Sequence, residues 1–121
     1  MRWFLIGAAA LHALFMFAEL FPWSSPKLLQ KVSAKLPNGE AFTPAQQTMV
    51  ATIVHNAGIY NGILAGGLLW AAFGGPPAAD VARVMLMGAA AAGIFGTVTL
   101  KSPVTAVQAA VGIIGLILVR P

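Results

Sequence analysis

The chain lacks cysteine and carries few charges, and each shortage excludes a class of protein. Without cysteine there can be no disulfide, no thiolate nucleophile and no Cys-ligated zinc. Only 8% of the 121 residues are charged, where an ordinary soluble domain has roughly 25%. Because 59% are hydrophobic, a water-soluble fold of this length could not cover its surface with polar side chains. The composition therefore predicts a protein embedded in a lipid bilayer.

Acidic residues are the scarcest charged type, since three Asp and Glu stand against seven Lys and Arg, for a net charge of +4. The basic residues lie at the ends of apolar blocks, where lipid headgroups bind them. Because no basic run contains interleaved aromatic residues, we expect no nucleic-acid partner. The lipid bilayer is the expected partner, and the sequence names no cofactor.

Four long apolar blocks make up most of the chain. A span needs about 20 apolar residues, and short connections after the second and third blocks make neighbouring helices antiparallel. The sequence thus predicts an all-α, multi-pass protein of the cell membrane, a four-helix bundle running up-down-up-down in one domain, residues 1–121. The predicted spans are residues 3–21, 49–73, 81–100 and 104–119.

The first block is also typical of a signal peptide, because Arg2 precedes an apolar run. His12 and Glu19 interrupt that run, and the apolar region of a signal peptide tolerates neither well. We therefore expect a retained helix.

The predicted spans separate the two kinds of basic residue. Three arginines fall on one side of the membrane and four lysines on the other, namely Arg2, Arg83 and Arg120 against Lys27, Lys31, Lys35 and Lys101. The positive-inside rule then favours lysine-bearing loops in the cytoplasm and both termini outside. Insertion in both orientations is the alternative, because the difference is a single charge.

A polar segment separates the first two spans. Ser25 is a predicted N-cap and Pro26 a first helical residue, and the leucines that follow lie opposite lysine and glutamine. This pattern predicts a short helix on the membrane surface. Further on, Thr43, Pro44 and Gln46 read as cap, first residue and capping-box partner of the second span.

Small residues recur at four-residue spacing on the second and third spans. Such stripes let two backbones approach closely in lipid, which offers no hydrophobic drive for helix association. We expect these two helices to be in contact, and a Gly62→Leu variant to disrupt the bundle. The sequence shows no internal repeat that carries a motif. The stripes are Gly58, Gly62 and Gly66, and Gly88, Ala92 and Gly96.

Polar side chains interrupt the apolar blocks. An ionisable group in the hydrocarbon core costs roughly 2.5–3.5 kcal/mol on insertion scales, so each is a functional candidate. In the alternative, these groups only form hydrogen bonds with one another or with the backbone and hold the helices together. Thr97 and Thr99, for example, can bond to the backbone of their own helix. The ligand-binding candidates are His12, Glu19, His55, Asn56, Tyr60, Asn61 and Gln108.

A metal site needs a suitable ligand spacing. His12, Glu19 and His55 could supply two imidazoles and a carboxylate. No pair of them stands three or four residues apart on one helix, so we expect no metal.

Three motifs in these polar and glycine-rich stretches carry a family resemblance. They are HALFMFAELFPW from His12 to Trp23, NAGIYNGILAGGL from Asn56 to Leu68 and GIFGTVT from Gly93 to Thr99, with Gln108 on the last helix. With them the chain resembles a family of small bacterial and fungal membrane proteins catalogued as domain of unknown function 1304. The resemblance implies four helices and a membrane location, and it supplies no established activity.

Four functions are compatible with this pattern. The first is a binding or carrier protein, whose candidate residues line a pocket for a small amphipathic molecule and whose Glu19 favours a cation. The second is proton-coupled export through Glu19. The third is an isomerase or epimerase, with Glu19 or a histidine as base, Tyr60 as acid and the asparagines stabilising an enolate. The fourth is an accessory subunit of a larger membrane complex, and a homodimer is likewise open.

Overall fold

The fold was analysed in a computed structural model that describes residues 1–119, so Arg120, assigned above to the arginine side, lies outside the described residues. This part of the chain forms five α-helices and no strand, which confirms the all-α class. A 3-10 turn, Pro22–Ser24, joins the first two helices. The helices are α1 Arg2–Leu20, α2 Pro26–Ser33, α3 Pro44–Phe73, α4 Ala78–Leu100 and α5 Pro103–Leu118.

Helix starts follow the capping chemistry of the sequence. The Thr43 backbone N–H donates to Gln46 Oε1 at 2.9 Å, and the Gln46 N–H donates to Thr43 Oγ1 at 3.3 Å, so the predicted capping box forms. Ser102 Oγ accepts from Val104 N at the start of α5. Ser25 does occupy the N-cap of α2, but its side chain makes no cap hydrogen bond. Its backbone carbonyl accepts from Leu28 and Leu29 instead.

The chain divides into two compact units, and the divisions fall inside α1 and α3. The first unit contains Met1–His12 and Ile63–Pro121, and the second contains Ala13–Gly62. Each of these two long helices therefore supplies one segment to each unit.

The first unit is a group of helical segments around one apolar core. Neighbouring segments run antiparallel, because Gly67 of α3 lies at Met85 of α4 and Leu64 lies at Gly88. Arg2 Nε donates to the carbonyl of Ala72 at 3.2 Å, which brings the start of α1 to the end of α3. The core residues are Leu5, Ala8, Ala9, Leu68, Ala71, Ala72, Ala82, Leu86 and Val119.

The closest helix contact in the first unit joins α4 to α5. A Cβ at Gly93 would lie 2.6 Å from Ala109 Cα, and a Cβ at Gly112 would lie 2.7 Å from Ala90 Cα. Real Cβ atoms do not approach backbone so closely, so both positions require glycine. At both points only the hydrogen atoms of a glycine separate the two backbones. The contact is reciprocal, because each helix supplies one glycine and one alanine.

A repeated heptapeptide causes this reciprocity. Residues 90–96 read AAAGIFG and residues 109–115 read AAVGIIG, and the first alanine of each meets the first glycine of the other, Ala90 with Gly112 and Ala109 with Gly93. The second glycine of each heptapeptide meets a side chain instead, Gly96 that of Thr105 and Gly115 that of Leu86. Two antiparallel helices with one motif give a local two-fold arrangement. The expectation of no internal repeat is therefore wrong for these seven residues.

The second unit holds the end of α1, the surface segment and the start of α3. Its α1 and α3 segments run antiparallel, because a Cβ at Gly58 would lie 3.1 Å from Leu20 Cγ and one at Gly62 would lie 2.7 Å from Met16 Sδ. In α2, Leu29 is buried while Lys27 and Lys31 stay exposed, so the predicted amphipathic helix is present.

The predicted glycine stripes make several different contacts. Gly58 and Gly62 pack on α1, and a Cβ at Gly66 would meet nothing within 4 Å. Of the α4 stripe, Gly88 lies against α3, Ala92 is exposed, and Gly96 packs on α5. The expectation that Gly96 faces the second span is thus corrected: α5 takes that place because its own small residues allow a closer approach.

Large apolar side chains cover the surface of every long helix. Trp3 is 82% exposed and Phe95 71% exposed, and Ile53, Phe73 and Ile117 are each more than half exposed. Arg2–Leu20 and Ala78–Leu100 are long and apolar enough to cross a membrane. Pro103–Leu118 is apolar but shorter, and α3 carries more polar residues.

Candidate functional site

The polar contact of the second unit joins Glu19 of α1 to Asn61 of α3. Asn61 Nδ2 donates to Glu19 Oε2 at 2.8 Å, and Asn61 is 8% exposed. Among residues 1–119, no lysine, arginine or histidine nitrogen forms an ion pair with Glu19. A carboxyl group bonded by a neutral amide keeps its capacity to attract a cation. These two residues are the centre of the candidate site.

Gly58 explains why the two helices come close enough for this bond. A side chain there would meet the Glu19 Cβ at 3.2 Å, so its absence lets α1 and α3 approach. Asn61 follows Gly58 by three residues, which is nearly one helical turn on the same face of α3. The motif from Asn56 to Gly62 therefore contains both the close approach and the amide that uses it.

His55 lies on the same side of α3. It precedes Gly58 by three residues, so at about 100° per residue Asn61 and His55 stand roughly 60° to either side of that glycine. The Nε2 atom of His55 is buried and has no hydrogen-bond partner among the described residues. Its imidazole thus offers an unused polar atom on the face that holds Asn61.

Asn56 and Tyr60 point elsewhere. Each stands two residues from Gly58, about 160° around the helix from it. Both are exposed, Tyr60 to 69%. Neither has a hydrogen bond within the described part of the chain. α3 therefore carries two polar faces, an inner one with Asn61 and an outer one with these two residues, where the sequence predicts a single pocket.

His12 and Gln108 belong to the first unit. His12 continues the buried stripe that Leu5, Ala8 and Ala9 begin on α1, and it is fully buried. Gln108 is 8% exposed on the face of α5 that also buries Ala109. Both polar residues therefore lie on buried faces that are otherwise apolar.

The threonines of α4 bond to their own helix, as the alternative for them expects. Thr97 Oγ1 donates to the Gly93 carbonyl at 2.7 Å, and Thr99 Oγ1 donates to the Phe95 carbonyl at 2.8 Å. Thr97 also lies 3.3 Å from the Thr105 hydroxyl of α5. Within residues 1–119 there is no group of three His, Asp or Glu side chains that could hold a metal ion.

Three grooves lie away from the candidate site. Two, of about 320 and 330 Å³, lie in the second unit beside α2 and the segment that leads into α3, and Phe42 lines both. The third, of about 340 Å³, is apolar and lies along α4 and α5 at Ile94 and Ala109. None of the seven candidate residues lines these three grooves.

Comparison with known proteins identifies the family of the chain. No curated protein and no solved structure matches the chain. Residues 6–120 match the family described as Protein of unknown function (DUF1304). The match covers nearly the whole chain and confirms the resemblance drawn from the motifs at His12, Asn56 and Gly93. The chain therefore belongs to this family of proteins of unknown function.

Proposed function

We propose that the chain crosses the membrane four times, as α1, α3, α4 and α5. Every one of these helices exposes several large apolar side chains, which supports this, because a water-soluble protein rarely leaves so many in contact with solvent. α3 has 30 residues, or about 45 Å of helix. α5 has 16 residues, which suits a span that is close to perpendicular or that thins the bilayer locally.

Single-cysteine labelling tests the number of spans, and the natural absence of cysteine makes it clean. We would introduce Lys31→Cys, Asp80→Cys and Lys101→Cys separately and label intact vesicles with a membrane-impermeant maleimide. With four spans, Lys31→Cys and Lys101→Cys react from one side and Asp80→Cys from the other. If only α1 and α4 crossed, Lys31→Cys and Asp80→Cys would share a side, and the four-span proposal would be wrong.

The function that the geometry supports best is binding of a small amphipathic cation at Glu19. One observation carries the proposal: the carboxyl group of Glu19 is held by the Asn61 amide and has no cationic partner within residues 1–119. A negative charge is costly at membrane depth, and a bound cation removes that cost. The amide fixes the direction of the carboxyl group without neutralising it.

The position of Glu19 favours an amphipathic ligand. Glu19 is the last residue but one of α1, and Phe21, Pro22 and Trp23 follow. Aromatic residues mark the membrane interface. A cationic head placed at Glu19 would lie near that interface while its apolar part extends into the hydrocarbon. The buried Nε2 of His55 is available to accept a hydrogen bond from a ligand N–H.

Binding can be measured with tetraphenylphosphonium and with a primary alkylamine of medium chain length, by calorimetry on the purified protein in detergent. Glu19→Gln should abolish binding of both, and Asn61→Ala should weaken it several-fold. Glu40→Gln is the matched control, because Glu40 is exposed in the surface segment. Equal binding by the two glutamine variants, or no binding by the unmodified protein, would contradict the proposal.

The isomerase alternative has little support, because Tyr60, its proposed acid, lies away from Glu19. It requires Tyr60 and Glu19 at one reacting atom, yet Tyr60 is exposed on the outer face of α3 while Glu19 bonds to the inner face. Export would use the same carboxyl group and adds a transport step to the binding proposed here.

A further inference from the structure

A ligand at Glu19 needs room for its apolar part, and the three grooves described above do not provide it. Neither Glu19 nor Asn61 lines any of them. A side chain that fills space next to Glu19 must therefore move when a ligand binds. The contact between α1 and α3 identifies that side chain.

Gly58 and Gly62 leave two notches on the face of α3 that packs on α1, one helical turn apart. A Cβ at Gly58 would lie 3.1 Å from Leu20 Cγ and 3.2 Å from Glu19 Cβ, atoms held close to the α1 backbone. We define the Gly62 notch as the space that a side chain at Gly62 would fill. A Cβ there would lie 2.7 Å from Met16 Sδ, and in the described part of the chain no other residue of a neighbouring helix comes within 4 Å of it. One flexible side chain therefore fills the Gly62 notch.

Met16 can leave the Gly62 notch without a shift of either helix. Methionine is unbranched and has three rotatable bonds, so it adapts to its surroundings more easily than other large apolar side chains. Met16 and Gly62 are both half-buried, so the emptied notch opens to the surface of the second unit. A pocket of this kind is a minor conformation that a ligand makes dominant.

The Gly62 notch lies next to the carboxyl group of Glu19 and on its hydrocarbon side. Met16 precedes Glu19 by three residues, which places it about 4.5 Å further from the end of α1. Gly62 directly follows Asn61, whose Nδ2 donates to Glu19. Trp23 follows Glu19 in the direction of the membrane interface. The carboxyl group and the notch are thus arranged in the order of the charged head and the apolar chain of an amphipathic cation.

We propose that Met16 is a movable cover of the cation site, and that the ligand is a primary alkylammonium with an unbranched chain. The inference rests on the cation site proposed above. The ammonium N–H groups donate to the carboxylate of Glu19, and the alkyl chain takes the place of Met16 in the Gly62 notch. A thioether side chain is unbranched, so the space that it leaves has the width of one straight chain. Leu20 closes the neighbouring notch at Gly58, so a branch on the ligand has no second notch to enter.

The first unit contains the same kind of packing without the carboxyl group. Met85 Sδ lies 2.6 Å from the position of a Cβ at Gly67. The one acidic residue of that unit, Asp80, pairs with Arg83 at 2.9 Å. Met85 is therefore a natural control, since it fills a glycine notch that has no unpaired carboxylate.

Methyl NMR follows the movable cover directly. The protein is prepared in detergent with isotope-labelled methionine methyl groups, Met16→Leu assigns the signal of Met16, and n-octylammonium is added. The Met16 signal should shift and saturate with the dissociation constant measured by calorimetry, while the Met85 signal stays in place. In Glu19→Gln neither signal should move. An unmoved Met16 signal at saturating ligand overturns the proposal, and so do equal shifts of Met16 and Met85.

Two isomeric amines test the shape of the site. n-Octylammonium and 2-ethylhexylammonium have the same composition, so a chain that merely lay in the surrounding detergent would bind nearly equally from either isomer. The unmodified protein should bind the straight isomer about tenfold more tightly, the discrimination expected of an apolar pocket. Gly62→Ala places a methyl group in the notch and should abolish most of that preference. Gly66→Ala is the matched control and should keep it, because its Cβ would meet nothing within 4 Å.

Failure of the movable cover is distinguishable from failure of the cation site. Equal binding of the two isomers by the unmodified protein, or the same preference in both alanine variants, overturns the cover. If tetraphenylphosphonium still binds in a manner that depends on Glu19, the cation site stands without it. If neither n-octylammonium nor tetraphenylphosphonium binds to the unmodified protein, both proposals are wrong.

Discussion

The α4–α5 contact of the first unit and the α1–α3 contact of the second unit both depend on missing side chains, but they use the space differently. At Gly93 the space is filled by the backbone of Ala109, and at Gly112 by the backbone of Ala90. At Gly62 it is filled by the flexible side chain of Met16. The first contact is backbone against backbone, and the second is side chain against backbone.

The difference shows how one chain can keep a rigid helix contact apart from its polar one. A backbone contact can yield only if a whole helix shifts, because backbone atoms have no side-chain torsion that could rotate them away. A methionine contact can yield, because the side chain has several rotamers. The polar pair of Glu19 and Asn61 lies in the contact that can adjust, which suits a site that must admit a ligand.

The largest expected effect is at the backbone contact. Gly93→Ala adds a Cβ 2.6 Å from the Cα of Ala109, and we expect destabilisation of about 3 kcal/mol, at the upper end for overpacking. Thermal unfolding in detergent, followed by circular dichroism, measures it. Gly66→Ala is the control, since its Cβ would meet nothing within 4 Å and alanine favours the helix by roughly 0.5–1 kcal/mol. Equal stability of the two variants would show that the α4–α5 contact accommodates a methyl group and is not rigid.

The next effect concerns the polar pair of the second unit. Asn61→Leu leaves the carboxyl group of Glu19 without its donor, and we expect a loss of about 2 kcal/mol. Combining it with Glu19→Leu removes both partners and should restore most of that loss. Urea or detergent titration of the three variants gives the coupling energy. Strict additivity of the two single changes would show that the bond contributes nothing.

A smaller effect is expected where α3 begins. Thr43→Ala removes one of the two reciprocal hydrogen bonds of the capping box, and we expect a loss of about 1 kcal/mol. Hydrogen exchange of the first turn of α3 should rise, while exchange in α4 and α5 stays unchanged. Thr43→Ser keeps the oxygen and should behave like the unmodified protein. Uniformly faster exchange in both units would contradict a local role.

The smallest effect sharpens the comparison directly. Gly62→Ala places a Cβ 2.7 Å from Met16 Sδ, which can rotate away, so we expect a change within about 1 kcal/mol. The same alanine substitution at Gly93 is expected to cost about three times as much. A Gly62→Ala variant as unstable as Gly93→Ala would show that Met16 is fixed. The same unfolding measurement serves for both.

Helix positions were predictable because they depend on local chemistry. The capping box at Thr43 and the serine–proline start at Ser102 fix where α3 and α5 begin, and each is read from a few adjacent residues. The family was predictable from the motifs at His12, Asn56 and Gly93. The antiparallel pairing of α4 with α5 was predictable from the short connection between them, but their close backbone contact was not, although the heptapeptides at 90–96 and 109–115 contain its signal. Stripes of four-residue spacing do not contain this signal, because the repeat places its glycines three residues apart.

The sequence by itself determined the all-α class, the approximate positions of the helices, the apolar surface and the family, because composition and capping act over a few residues of chain. Tertiary structure alone decided which polar groups meet. Spacing places Asn56, Tyr60 and Asn61 within six residues of one another, but only packing against α1 turns Asn61 toward Glu19 and leaves the other two outside. The physical reason is that a helix has several faces, and which of them is buried depends on its neighbours.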